Sequence, residues 1–135
     1  MDAESEPKEE RDRFYRLLMQ RFPAIAADMS DLERDLLHPE MGVFARATCL
    51  ANDGDDFPTV RAHFAFADEL MTSAGPYLEN AIYVSYLENI FVGSSGDRYL
   101  KARTMLSERL QTALVELEDH WKEINEWTQR NRQAR

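Results

Sequence analysis

Residues that interrupt helices are scarce in this chain, which has five glycines and five prolines among its 135 residues. Cysteine is scarcer still: Cys49 stands alone, so no internal disulfide framework forms, and a reducing compartment is indicated. No stretch approaches the ~20 apolar residues that a membrane-spanning helix needs. The first ten residues, MDAESEPKEE, have neither the basic nor the apolar segment of a signal peptide. We therefore expect a cytoplasmic protein that does not associate with membranes.

Positive charge is sparse as well, with 16 Lys and Arg against 25 Asp and Glu and a formal net charge of −9. Residues 62–97 contain neither Lys nor Arg. Such a chain repels the phosphate backbone of nucleic acids, so we expect no nucleic-acid partner. An acidic surface keeps a protein soluble, and it also suits a basic protein partner.

The sequence has none of the motifs that identify an enzyme class or a metal site. Its three histidines, His38, His63 and His120, show no ligand spacing, and no cysteine pair or Glu-x-x-His motif accompanies them. There is no Gly-x-Ser-x-Gly motif and no glycine-rich phosphate loop before a helix. We therefore expect no cofactor and no metal, and we favour a non-enzymatic protein.

Helical periodicity is the pattern that the sequence does contain, and no segment alternates as a strand does. Proline and glycine separate the periodic segments, so we expect an all-α fold of six or seven helices. Two arrangements stay open, a stack of antiparallel helix pairs like an α-superhelix and an irregular helical bundle. The expected helices span residues 8–22, 30–37, 39–52, 58–74, 76–92, 97–105 and 107–130.

One domain accounts for most of the chain. We assign residues 8–130 to a single all-α domain, because 135 residues fall within the usual size of one domain. Residues 1–7 form a disordered acidic tail in this interpretation, and residues 131–135 form a basic, frayed tail.

Residues 80–89, NAIYVSYLEN, belong to the most apolar of these helices. At the 100° per residue of an α-helix, Asn80 and Glu88 fall on its apolar side beside Leu87. In one interpretation these polar side chains form hydrogen bonds inside the core and fix the packing of the helices. In the other they line a pocket, since carboxylates with perturbed pKa values cluster at functional sites. The candidate pocket residues are Asn80, Glu88, His63, Tyr83 and Tyr86.

The last helix offers a candidate interface. Its apolar residues follow a spacing of 4, 3, 4 and 3 from Leu110 to Ile124, which is the seam of a coiled coil. The helix continues past this seam as TQRNRQAR, and a frayed end is the simplest interpretation of that segment. Trp and Arg are enriched in binding hot spots, so Trp127, Arg130 and Arg132 are candidate interface residues. A homodimer through this helix is one form that such an interface would take.

The order of the segments resembles a family of small bacterial domains of unknown function: FPAIAADM, then HPEMGVFARAT, the motif F-x-FADEL, NAIYVSYLENI and a final ML…L. The resemblance spans roughly residues 22–118. It implies an all-α fold and a bacterial cytoplasmic protein, and it assigns no catalytic residue. Some small acidic proteins of this kind resemble immunity proteins that neutralise toxins.

Two functions follow as hypotheses. The first is a protein–protein interaction module, immunity-like or regulatory, that binds an unidentified protein. The alternative is a small-molecule or enzymatic pocket around Glu88, Asn80 and His63.

Overall fold

The structure, a computed structural model, describes residues 7–92 and 96–133. Within these ranges the chain forms seven helices and no strand, which confirms the expected all-α class. The helices are α1 (Pro7–Arg21), α2 (Pro23–Ala27), α3 (Leu37–Asp53), α4 (Phe57–Thr72), α5 (76–91), α6 (Asp97–Thr104) and α7 (Glu108–Gln133).

Helix α5 is continuous but changes its winding in the middle. An α-helical segment (Pro76–Ala81) leads into a π-helical one (Ile82–Leu87), and a last α-helical segment (Glu88–Phe91) completes it. Helical backbone angles at Ile82 and Glu88 carry the chain through both junctions without a break. A π-helix bonds residue i to i+5, is rare, and often occurs at functional sites.

Proline and side-chain caps set where several helices begin. Pro23, Pro58 and Pro76 occupy the first turns of α2, α4 and α5, where the amide that proline lacks has no partner in the helix. The Asp56 carboxylate caps α4 by accepting from the amide of Thr59, and Ser107 Oγ accepts from the amide of Leu110 at 3.1 Å in the first turn of α7.

The short helix expected over residues 30–37 does not form. The Ser30 amide donates to Glu33 Oε1 at 2.8 Å, as in a capping box, but residues 31–35 form turns. Asp35 has a φ of 67°, which stops any helix at that point. The chain resumes as α3 at Leu37, two residues before the expected start at Pro39, so Pro39 lies within the first turn of that helix.

The domain limits differ slightly from those expected. Helix α1 already begins at Pro7, and α7 continues to Gln133, past the expected domain end at residue 130. The acidic tail at residues 1–6 and the last two residues of the basic tail lie outside the described residues.

Helix α3 is the centre of the fold, since it packs against α1, α2, α4, α5 and α6. In a solenoid each repeat contacts only its neighbours, whereas here α1 also contacts α5. The arrangement is therefore the irregular bundle of the two alternatives, and the helical repeat is not confirmed. None of the helices in the described ranges is long and apolar enough to cross a membrane.

Candidate functional site

The most enclosed polar cluster joins Thr48 of α3, His63 of α4 and Tyr86 of α5. Thr48 Oγ1 lies 2.9 Å from His63 Nδ1 and 2.9 Å from the hydroxyl of Tyr86. The three residues are 1%, 2% and 0% exposed. The Phe44 ring stacks on Tyr86 with 4.6 Å between centroids and also contacts the His63 ring, so apolar surface surrounds the polar atoms.

Hydrogen-bond capacity fixes the direction of each bond in this cluster. The Thr48 hydroxyl donates its one proton to the carbonyl oxygen of Phe44 at 3.1 Å. A hydroxyl has one donor and two acceptor positions, so His63 Nδ1 and the Tyr86 hydroxyl must both donate to Thr48. His63 is therefore the Nδ1-protonated tautomer, and Thr48 makes all three of its hydrogen bonds.

Burial shifts the pKa of both titratable residues of the cluster, His63 and Tyr86, and keeps both side chains neutral. It lowers the pKa of His63 to about 4, so the imidazole is neutral at pH 7. It also raises the pKa of Tyr86 well above its ordinary value, which keeps the phenol protonated. With no exposed face to meet a substrate, the cluster links three helices, and its chemistry is that of a satisfied polar core.

The five residues of the predicted pocket do not come together. His63 and Tyr86 meet through Thr48, but Asn80 is exposed, and Glu88 is only half-buried. Tyr83 is half-buried and donates to Glu116 Oε2 of α7 at 3.3 Å. The pocket alternative therefore finds no support in this geometry.

The π-helical segment explains why Asn80 was placed on the buried side. A helical wheel at a constant 100° per residue turns too far across Ile82–Leu87, because i to i+5 bonding turns less at each residue. A helical wheel drawn in this way therefore places Leu87 on the same side of the helix as Asn80. In the structure Leu78 and Ala81 form the buried face before the π-helical segment, and Asn80 lies away from them.

Four clefts of about 330–540 Å³ lie on the described surface. Tyr83 contributes to the largest, between α4, α5 and α7, where Asp68 Oδ1 accepts from Ser107 Oγ at 2.8 Å. None of the four is lined by Asn80, Glu88, His63 or Tyr86. Among the described residues no three His, Cys, Asp or Glu side chains are grouped to hold a metal ion.

Two buried carboxylates were missed by the sequence analysis. Glu40 of α3 is fully buried and accepts two bonds from the Arg11 guanidinium of α1, at 2.8 and 2.5 Å. This carboxylate raises the pKa of Arg11. Glu10 accepts from the amide of Leu78 at 2.8 Å and thereby caps α5. A signal was present, because Glu10 precedes Phe14 by four residues on the buried face of α1.

The second candidate site lies on α7. We define the outer segment as residues 118–133, about 24 Å of helix at 1.5 Å per residue. None of residues 118–132 is buried, although Leu117 is. Trp121 still packs against the core, whereas Ile124 and Trp127 are 37% and 61% exposed. Arg130 and Arg132 are exposed near the helix end, so all three candidate interface residues lie on the surface of this segment.

A groove flanks the outer segment where it leaves the body. It has a volume of about 360 Å³ and runs between Phe91 and Val92 at the end of α5 and the side of α7 that carries Glu118 and Asn125. Glu118 also accepts two bonds from Arg103 of α6, at 2.6 and 2.5 Å. The groove thus has an apolar wall and a charged one.

Comparison with known proteins places the chain in one family. No curated protein and no solved structure matches it. A family described as a domain of unknown function, DUF7674, matches residues 15–122, which is most of the chain and ends near the start of the outer segment. The expected relationship to an uncharacterised domain family is confirmed, and the chain belongs to the DUF7674 family.

Proposed function

We propose that this protein is a protein–protein interaction module and that the outer segment of α7 is its contact surface. The observation that carries the proposal is the exposed apolar surface of Ile124 and Trp127 on a helix that has left the body of the domain. A helix that ended at Trp121 would complete the core equally well. Residues 122–132 add no buried residue, so their apolar side chains favour contact with another protein.

Residue type supports the same proposal. Trp and Arg dominate binding hot spots, and Trp127, Arg130 and Arg132 lie within two turns of one another. Arginines at the end of a helix also interact favourably with its dipole, which stabilises the helix by a few tenths of a kcal/mol to ~1 kcal/mol. That effect accounts for Arg130 and Arg132 and leaves the exposure of Trp127 without a role in the isolated chain.

The enclosure of the Thr48–His63–Tyr86 cluster favours binding rather than catalysis. His63 and Tyr86 are enclosed, and the residues expected to form a pocket with them lie elsewhere. We place the module in a bacterial cytoplasm, where an immunity-like or regulatory role suits a small acidic chain. The half-buried Cys49 thiol, whose pKa burial raises, suits a reducing compartment.

Photocrosslinking in cells tests the proposal. A benzoylphenylalanine in place of Trp127 should give a discrete crosslinked protein on irradiation. Tyr77 provides the matched control, because it is also an exposed aromatic residue, 46% exposed, but it lies at the start of α5. Crosslinks at 127 and none at 77 would support the proposal. Failure to crosslink at 127, or equal products at both positions, would contradict it.

A further inference from the structure

We propose that the partner of the outer segment is a second copy of this chain, whose own outer segment packs against it in antiparallel orientation. This inference rests on the proposed function and names the occupant of the surface. Three features of α7 carry it: the apolar stripe, the flank beside it, and the distribution of charge along the helix.

The apolar stripe of α7 continues past the point where the body stops covering it. Leu110, Leu114 and Leu117 are buried, and Trp121 and Ile124 extend the same spacing outward with partial exposure. A heptad stripe of this kind is the surface that pairs two helices. Its outer part is short, so a partner of similar length that carries the same stripe covers it fully.

The flank of the stripe is self-complementary in the antiparallel direction. Glu118, Asn125 and Arg132 follow each other at seven-residue spacing, so they lie on one flank. A two-fold axis perpendicular to two antiparallel helices keeps equivalent flanks on the same side. Centred on Asn125, it brings Glu118 of each chain to Arg132 of the other, and Asn125 to its own copy. Flanking charges of this kind determine partner choice and orientation in paired helices.

Charge along the segment is consistent with the same orientation. Glu118, Asp119, Glu123 and Glu126, with Lys122 among them, precede Arg130 and Arg132, so the start of the segment is net acidic and its end is basic. Parallel pairing would set acid against acid and base against base. Antiparallel pairing sets the basic end of each helix beside the acidic start of the other. Arg130 and Arg132 of one copy then attract the acidic residues of the second copy, although each chain has a net charge of −9.

The groove beside Glu118 has room for the end of the partner helix. Phe91 and Val92 line one side of it, and the side on α7 carries two acidic residues and one basic residue among Glu118, Trp121, Lys122, Asn125, Glu126 and Gln129. Arg132 of the second copy would enter this groove and share the Glu118 carboxylate with Arg103, which already holds that carboxylate in place. Trp127 lies two residues from the proposed axis but on the opposite flank of the stripe from Asn125, so its two copies would meet on that other flank.

A charge-exchange experiment on full-length chains tests this pairing. E118K alone sets an introduced lysine against Arg132, and R132E alone sets an introduced glutamate against Glu118. Both homodimers should therefore dissociate about tenfold more readily than the wild type. An equimolar mixture of the two variants forms heterodimers in which one end of the shared flank pairs the introduced lysine with the introduced glutamate and the other end retains Glu118 and Arg132.

Native mass spectrometry distinguishes the two chains by mass. It should show the heterodimer well above the one-half that random exchange gives, with an affinity within about twofold of the wild type. Wild type mixed with isotope-labelled wild type supplies the reference for random exchange.

The outcomes separate this inference from the function on which it rests. A heterodimer fraction at or below one-half, or a wild-type chain that stays monomeric at high micromolar concentration, would overturn the self-pairing. If position 127 then crosslinks a protein of another mass in cells, the interaction module stands with a different partner. Loss of the helical circular dichroism of E118K would reflect the broken Arg103 pair, and R132E mixed with an R103A/E118K double variant then carries the same test.

Discussion

The hydroxyl of Tyr86 lies 2.9 Å from Thr48 Oγ1, and this oxygen accepts hydrogen bonds from both Tyr86 and His63. Loss of the Tyr86 hydroxyl and loss of the Thr48 hydroxyl should therefore differ in their effect on stability. Removing the Tyr86 hydroxyl takes away a donor and leaves no buried donor unpaired. Removing the Thr48 hydroxyl leaves two, the Tyr86 hydroxyl and His63 Nδ1. We expect Tyr86→Phe to lower the free energy of unfolding by ~1 kcal/mol and Thr48→Val by ~3 kcal/mol or more, measured by urea denaturation. Equal costs would show that the bond directions are assigned wrongly.

The stability of the protein should depend on pH through His63. Burial lowers its folded-state pKa to about 4, whereas the unfolded chain titrates near 6.5. Between these values the unfolded state binds more protons, so stability is fully present above about pH 6.5 and is lost as the pH falls toward 4. We expect the free energy of unfolding to drop by up to ~3 kcal/mol across this window.

Denaturation at a series of pH values checks this dependence, with two matched variants. His63→Gln should flatten the pH dependence between pH 4 and 6.5 whatever it does to stability at pH 7. His120→Gln changes an exposed histidine of α7 and should leave the slope as it is in the wild type. The hypothesis fails if His63→Gln retains the wild-type slope.

The pair of Arg11 and Glu40 should be far more important for stability than the exposed pair of Arg21 and Glu69. Arg11→Ala leaves a fully buried carboxylate without its guanidinium, at a cost of ~3–5 kcal/mol. Arg21→Ala should cost ~1 kcal/mol or less, since both partners are about half exposed. Replacing both buried partners together, as Arg11→Met with Glu40→Leu, should recover most of the loss. A double variant no more stable than Arg11→Ala would contradict this account.

Gly75 is required by the position of Glu10. A Cβ at residue 75 would lie 2.5–2.7 Å from the Glu10 carboxylate, which is nearly buried and held by the amide of Leu78. The backbone of Gly75 is extended, so the conflict is steric alone. We expect Gly75→Ala to displace the carboxylate and cost ~1.5–3 kcal/mol.

Two comparisons isolate this contact. Gly42→Ala, with 3.9 Å to the nearest atom in the middle of α3, should instead stabilise the protein by ~0.5–1 kcal/mol. In a Glu10→Ala background Gly75→Ala should become nearly neutral, which a double-mutant cycle measures as coupling. Additive costs would mean that Glu10 is not the cause.

Much of the fold could be predicted from local patterns. The all-α class and most helix limits follow from periodicity and from prolines such as Pro23 and Pro76, whose effects act within a few residues. The turns at residues 31–35 could not be predicted with the same rules, because the Ser30–Glu33 capping pair that suggests a helix also stabilises a turn. The π-helical segment has no signature in the sequence, and it turns Leu87 away from the side of Asn80, which lies on the surface.

The polar core depends on contacts between distant parts of the chain. Thr48 meets residues 15 and 38 positions away, so no spacing rule could single it out. Glu10 and Glu40 lie on buried faces of their helices, which identifies them as unusual without naming their partners. Trp127, Arg130 and Arg132 could be selected from residue type, and their exposure agrees with that selection.

The central claim is that the outer segments of two chains pair in antiparallel orientation about Asn125. Spin labels attached to cysteines at exposed positions of α7, in a Cys49→Ala background, measure this directly by pulsed dipolar spectroscopy. In an antiparallel pair the distance between equivalent labels grows by about 3 Å for each residue away from 125. We predict an axial separation of about 18 Å for Asp119→Cys and about 30 Å for Val115→Cys. Equal distances at the two positions, or no dipolar coupling between chains at either, would contradict the claim.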